Sequence, residues 1–247
     1  MSVEEPLLKD ILDILTWSAP APMSVSLLCD LLAQNKTSNL TGALSLGCAL
    51  RILQDSCDTE AYAIHRLVRE VHRAESALSQ NPDWADRSAQ RLAVWFEKHR
   101  ENFNDLALFE ANLIHIDAWQ QNAQALNLPQ QADRLIWLQA YPAWHWGRYN
   151  EAKQKLEQAQ VLHMQSATSS NNELKAHLLN DLSTLNSKLG NFDKALELNK
   201  AALALRLKLF GKTHPDTALT LSNLASVYNV LGNTTEALDL GKQTLEI

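Results

Sequence analysis

At 247 residues the chain exceeds one typical domain and falls short of three, and a composition 46% apolar and 20% charged suits packed cores. Its formal net charge of −6 excludes a global field that would draw in nucleic acid or an anionic membrane. The acidic opening MSVEEPLLKDILDILTW is no secretory signal, and no uninterrupted apolar run approaches the about eighteen residues of a membrane span. Cys29, Cys48 and Cys57 stand in no metal-ligand spacing, so reduced thiols in a cytoplasmic protein are expected.

The first elements read as helices. EPLLKDILDILTWSA is amphipathic and stops before Pro20 and Pro22, SVSLLCDLLA is a second helix, and LTGALSLGCA a short third. LRILQDSCDTEAYAIH then reads as two strands around a polar turn, and a basic helix follows with His65 at the join. Three helices, a hairpin and a closing helix predict a small winged-helix domain over residues 1–80. That fold raises the question of DNA. The third helix would enter a groove, yet LTGALSLGCA has no Arg, Lys, Asn or Gln to hold a phosphate or a base edge. Arg66, Arg69 and Arg73 fall on the fourth helix with Glu70 among them, where a solvated or interdomain face suits them better than phosphate. Neither nucleic acid nor membrane is an expected partner.

Asn81–Pro82 is the expected linker into helical repeats over 83–247. An irregular pair (83–127) comes first, with Leu106, Phe109, Leu113 and Ile116 recurring at three and four residues. A degenerate unit (133–165), RLIWLQAYPAWHWGRYNEAKQKLEQAQ at its heart, follows. Its first helix is expected to kink or end early at Pro142, and Trp144 and Trp146 to pack between helices. Two clearer units, 174–209 and 214–247, repeat each other: Leu182 aligns with Leu224, Leu185 with Val227, Gly190 with Gly232, Ala195 with Ala237 and Leu203 with Leu245, at 232 − 190 = 42. Such a period predicts a solenoid of helix pairs, none able to bury its apolar side alone. Gly190 and Gly232 stand where a first helix must end in a left-handed residue, and Ala195 and Ala237 where two helices must approach closely. FGKTHPDT should cap the next helix at Thr213, with Pro215 in the first turn and Asp216 three residues on. No polar capping helix follows the last unit, so its apolar end should meet further repeats or a second copy.

These units resemble tetratricopeptide repeats, and FGKTHPDTALTLSNLASVY is similar to the kinesin-light-chain type. The resemblance implies a mostly α, right-handed solenoid whose first helices line a concave groove for a protein or peptide. Counted from the glycine, groove positions fall on His177, Asn180, Thr184 and Lys188, then on Ser222, Ser226 and Asn229. In the degenerate unit they become an aromatic-basic patch of Arg134, Trp137, Tyr141 and His145. Asparagine there could satisfy both the donor and the acceptor of a peptide unit.

YAIHRLVREV in turn resembles the end of the winged helix in NB-ARC (STAND) signal-transduction ATPases. In that family a histidine reaches the β-phosphate of ADP held by a preceding nucleotide domain, which implies nucleotide sensing by His65. Arg66 stands where plant members have aspartate, so the hinge role of that aspartate does not carry over. The motor itself is missing: Gly211-Lys212-Thr213 has Arg206 where a G-x-x-x-x-G-K-[ST] loop needs its first glycine. No cofactor is expected in this chain, with ADP or ATP entering only through a preceding nucleotide-binding domain. The histidines lack zinc spacing and no nucleophile motif occurs, so no catalytic or metal residue is assigned. The expected function is the non-catalytic sensor and autoregulatory part of such an ATPase, triggered by a protein or peptide. A free-standing repeat adaptor stays open, as does a winged-helix transcription regulator with a repeat ligand domain.

Overall fold

The computed structural model describes residues 4–18, 21–32, 37–56, 61–64, 67–71, 73, 90–91, 93–96, 98, 106–125, 129–165 and 172–247. The chain is mostly helical and divides into two compact units, Met1–Leu138 and Gln139–Ile247. His65, Arg66, Cys57 and the Asn81–Pro82 linker lie outside the described residues.

The first unit opens with α1 (Glu4–Trp17), whose Leu7, Leu8, Ile11, Ile14 and Leu15 recur at helical spacing and are all buried. Strand β1 (Met23–Ser24), α2 (Val25–Leu31), α3 (Thr37–Ala49), β2 (Leu53–Ser56) and β3 (Ala61–Ile64) follow. The strands form one antiparallel sheet in the order β1-β3-β2, with Leu53 opposite Ile64 and Met23 opposite Tyr62. α1 packs on α3 and β3. Gly47 lets α3 lie against the hairpin, since a Cβ there would fall 2.6 Å from Leu53 Cδ1. Two differences from expectation stand out. β1 takes the start of a stretch expected to be wholly helical, because β3 offers it a free edge and two residues carry too little pattern to announce a strand. α3 begins three residues before LTGALSLGCA and so carries Asn39 in its first turn.

Residues 67–71 and 73 are helical, as are 90–91, 93–96 and 98. The latter segment is tied to α2 by Trp95 Nε1, which donates to Asp30 Oδ2 at 2.9 Å. Helix α4 (Leu106–Ala125) comes next and packs on α1.

Helix α5 (Pro129–His145) begins in the first unit and ends in the second. It runs through Pro142 instead of ending there. Pro142 lacks the amide that would donate to the Leu138 carbonyl, yet the helix continues three residues past it and the Trp146 amide donates to Pro142 O at 3.0 Å. Helices α6 (Tyr149–Gln165), α7 (Asn172–Lys188), α8 (Phe192–Phe210), α9 (Pro215–Val230) and α10 (Thr234–Leu245) complete the second unit, each packing on the next from α6 onward where α6 meets α7.

The same turn recurs three times in this unit. Gly147, Gly190 and Gly232 have φ of 71°, 80° and 81°, the left-handed region that only glycine enters without cost. Each donates to the carbonyl three residues back, and each following residue to the carbonyl five residues back: Arg148 to Ala143, Asn191 to Asn186, Asn233 to Tyr228. The degenerate unit therefore shares the turn of the clear repeats. Its Ala152 and Ala159 are fully buried, as are Ala195 and Ala202 at the matching positions. Small residues admit the close approach: Ser183 Oγ donates to the Ala195 carbonyl at 2.8 Å across α7 and α8.

Three expectations need correction here. The α9 cap is His214, not Thr213. Pro215 occupies the first helical position and forces its predecessor to be extended (φ −82°, ψ 139°), and the His214 ring accepts from the Asp216 amide. Trp146 is 60% exposed and does not pack between helices, because it follows the last residue of α5 at the turn. Ala237 is only half-buried, while Leu238 and Leu245 of α10 are open.

Candidate functional site

The basic segment after β3 is the first candidate to settle. The last turn of a helix leaves four carbonyls without intrahelical donors, and in α1 those of residues 14–17 are all met. Ser18 Oγ donates to Ile14 O at 2.8 Å, Arg69 Nη2 to Leu15 O at 3.2 Å, Arg73 Nε to Thr16 O at 3.1 Å and Asn122 Nδ2 to Trp17 O at 2.6 Å. The Arg73 guanidinium also sits 5.2 Å from the Trp17 ring centre, and Trp119 Nε1 donates to Ser18 Oγ at 3.1 Å. Cations at a helix C-terminus gain from the macrodipole as well as from the hydrogen bonds. Arg69 and Arg73 are thus anchored inside the first unit, against the expected solvated or interdomain face, and burial lowers the pKa of both. His115 on α4 lies buried nearby and is held neutral, its pKa lowered to about 4 by burial and then by the Arg69 charge.

The second candidate is the face shared by α7 and α9, the first helices of the two clear repeats, which adjoin one another. Beneath it lies Arg206 of α8, 1% exposed. Its Nη1 donates to Thr220 Oγ1 at 2.6 Å and to the Asp216 carbonyl at 2.7 Å, with Asn180 Oδ1 at 3.5 Å, and its Nη2 faces His177 Nδ1 at 3.3 Å. Asn223 Nδ2 also donates to Asn180 Oδ1, at 3.2 Å. His177 and Asn180, expected in the groove, are therefore engaged in an internal network, and Asn180 is buried. The pattern of α7 alone concealed this, because the partner, Arg206, stands on the second helix of the repeat.

Nearer the C-terminal ends of α7 and α9 a cavity of about 290 Å³ opens. Thr184 and Lys188 line it from α7 and Ser226 from α9, so three expected groove residues meet there. Phe192, Val227 and Val230 give it apolar walls; Asn223 and Asn199 add carboxamides. Thr184 and Ser226 donate their hydroxyls back to their own helices, at 3.1 Å to Asn180 O and 3.0 Å to Ser222 O, which leaves hydroxyl lone pairs available. Ser222 and Asn229 are exposed and are not part of the lining. The residue in register with Lys188 is Val230 (230 − 188 = 42), one beyond Asn229.

The aromatic-basic patch divides. Arg134 and Trp137 belong to the first unit, Arg134 half-buried and Trp137 only 4% exposed. Tyr141 and His145 belong to the second, half-buried with ring centres 6.0 Å apart. Sequence reasoning missed Asn199, Asn223 and Arg206. Register would have revealed the first: Asn199 aligns with Leu156 (199 − 156 = 43) and Gly241 (241 − 199 = 42), a lone amide at an otherwise apolar or small position. The connector Gly211–Thr213 joins α8 to α9, and Thr217 Oγ1 donates to Gly211 O at 2.8 Å; a helix-to-helix turn of this kind does not fit a phosphate-cradling loop. No helix of the described residues is long and apolar enough to cross a membrane.

Comparison with known proteins accords with this geometry. The tetratricopeptide-repeat family model matches residues 176–247. Among solved structures, BtubC (BKLC) from P. vanneervenii is similar at a TM-score of 0.57 and 20% identity, over 72% of this chain and 69% of that one. A Podosopora anserina protein assigned as a kinesin light chain with nearly identical TPR-like repeats gives 0.38 at 18% identity, over 73% and 94%. A signal transduction ATPase with numerous domains (STAND) with a tetratricopeptide repeat sensor, from Pyrococcus horikoshii, gives 0.32 at 13%, over 99% and 50%. No curated protein matches the sequence. Residues 176–247 are tetratricopeptide repeats, and over 72% of its length the chain shares a fold with BtubC.

Proposed function

We propose that the chain is a non-catalytic protein-binding module that holds an extended polypeptide segment between α7 and α9. The observation that carries this reading is the cavity where Thr184, Lys188 and Ser226 converge from successive repeats, with polar groups set between apolar walls. At about 290 Å³ it lies at the small end of the roughly 300–1,000 Å³ of small-molecule sites, room for one residue of a chain passing through. Stacked repeats bind along such concave surfaces. The test is a randomised decapeptide array probed with the full chain and with Thr184→Arg plus Ser226→Arg, which fills the cavity. Binding by the native chain and its loss in the filled variant are expected; equal signals from both would end the proposal.

A second reading, the sensor region of a STAND-type ATPase, draws support from the order α1-β1-α2-α3-β2-β3, in which β1 joins the hairpin across β3 as a winged helix requires. In that setting residues 1–80 are the winged helix, 83–247 the repeats, and His65 the residue that meets ADP on a preceding domain. The gene upstream of Met1 decides it: an in-frame G-x-x-x-x-G-K-[ST] run supports the reading, and an immediate stop removes it in favour of a free-standing adaptor. A transcription regulator fares worse, since Arg69 and Arg73 already cap α1. Titration of generic duplex DNA at low salt should stay flat.

A further inference from the structure

We propose that Asn199 is the base of a main-chain recognition subsite, pairing through its carboxamide with the N–H and C=O of a single extended residue of a bound polypeptide. This deepens the groove reading above and rests on it. Asn199 is 1% exposed, lines the cavity, and neither its Nδ2 nor its Oδ1 has a hydrogen-bond partner among the described residues. A buried primary amide left in that state is costly, and native proteins rarely keep one without a use.

The fold does not ask for it. The matching residue is Leu156 one repeat earlier, equally buried within α6, and Gly241 one repeat later. The amide stands at the one of these three positions that lines the cavity of Thr184, Lys188 and Ser226.

The chemistry of the orphaned pair narrows the occupant. A carboxylate or phosphate could accept from Nδ2 but would confront Oδ1 with a second acceptor. An ammonium group would serve Oδ1 and leave Nδ2 unmet. One donor and one acceptor side by side are what an extended residue presents, because its N–H and C=O point the same way and exchange two bonds with a paired strand. The carboxamide of Asn199 imitates that paired strand. Phe192 and Val227 then meet the flanking side chains, and the exposed Lys188 at the rim favours an acidic residue nearby.

The probe is the best-retained decapeptide of the randomised array, resynthesised with one N-methyl group at each position in turn and titrated into the full chain by fluorescence polarisation. N-methylation at one interior residue should weaken binding about tenfold or more, the loss of one well-placed buried hydrogen bond. Asn199→Leu, which copies the residue at the preceding repeat, should bind the unmodified peptide about tenfold more weakly and show no dependence on that N-methyl position. A flat N-methyl scan of the native chain overturns the proposal without needing any variant to fold. A peptide that binds native and Asn199→Leu chains alike overturns it and leaves the groove reading standing. A dependence on one Asn or Gln side chain of the peptide, with a flat N-methyl scan, assigns the amide to side-chain pairing instead. If no peptide of the array binds the native chain, subsite and groove readings fall together.

Discussion

Replacing Arg206 with methionine tests whether a single buried guanidinium holds the two clear repeats together. Methionine keeps much of the apolar stem and removes the bonds to Thr220 Oγ1 (2.6 Å) and to the Asp216 carbonyl (2.7 Å), along with the approach to His177 Nδ1. Hydrogen bonds to a charged donor contribute about 1.5–3 kcal/mol each, which sets an upper limit of roughly 6 kcal/mol. Two effects reduce it. The partners are not stranded, because Thr220 Oγ1 still donates to Asp216 O at 3.0 Å and Asn180 Oδ1 still accepts from Asn223. Removing a buried charge also returns part of its desolvation cost. The expected loss is therefore about 2–3 kcal/mol, or a fall in Tm on the order of 10–20 °C for a unit of this size. Urea unfolding followed by circular dichroism gives the free energy, and amide exchange locates it, with protection falling in α8 and α9 and not in α1. A variant within about 0.5 kcal/mol of the native chain, the range of an ordinary surface change, would show that the network is incidental.

Asn199→Leu should act in the opposite direction, raising stability by about 1–2 kcal/mol because it removes two unsatisfied buried polar atoms and adds apolar contact; a fall in Tm on thermal scanning contradicts their being unsatisfied. Gly190→Ala, at φ 80° with open space around a new Cβ, should cost about 1–2 kcal/mol through backbone strain alone, measured by urea midpoint; an unchanged midpoint refutes the left-handed requirement. His115 predicts a pH effect: between the unfolded pKa of about 6.5 and the folded value of about 4, the unfolded chain binds a proton that the folded chain refuses, so stability falls as pH drops through that window, by up to about 3 kcal/mol. Above about pH 6.5 this contribution is constant, and His115→Leu should flatten the slope in urea titrations from pH 7 to 4.5; a slope unchanged by the substitution places its origin elsewhere.

How much of this was legible follows from what each signal encodes. Much of the repeat geometry was, because Gly190 and Gly232 record a backbone angle and Ala195 a helix separation directly, although Ala237 is only half-buried. Pro142 did not end its helix, because a proline removes only its own amide's bond and the residues beyond it go on donating four residues back, as Trp146 does to Pro142. Arg69 and Arg73 looked solvated because periodicity places a charge on a face without saying what lies opposite, and their partners are carbonyls of α1 more than fifty residues away. Of the groove positions, Thr184, Lys188 and Ser226 reach a common cavity, while His177 and Asn180 are drawn inward by Arg206. A first-helix pattern cannot reveal a competitor on the second helix.

Register separates the two unusual buried polar residues of α8 by cause. Arg206 aligns with His163 (206 − 163 = 43), which is also buried, so that position carries a polar group in both repeats and belongs to the way successive units are joined. Asn199 lies seven residues earlier, two turns away on the same face, and aligns with a leucine and a glycine. A feature that recurs with the period is answered by the neighbouring repeat, as Arg206 is by Thr220 and Asp216. One that breaks the period has no counterpart inside the unit, and its hydrogen-bonding demand points out of the fold. The same helix thus uses one buried polar side chain to close the stack and another to keep a place in it open, which is why the two substitutions should move stability in opposite directions.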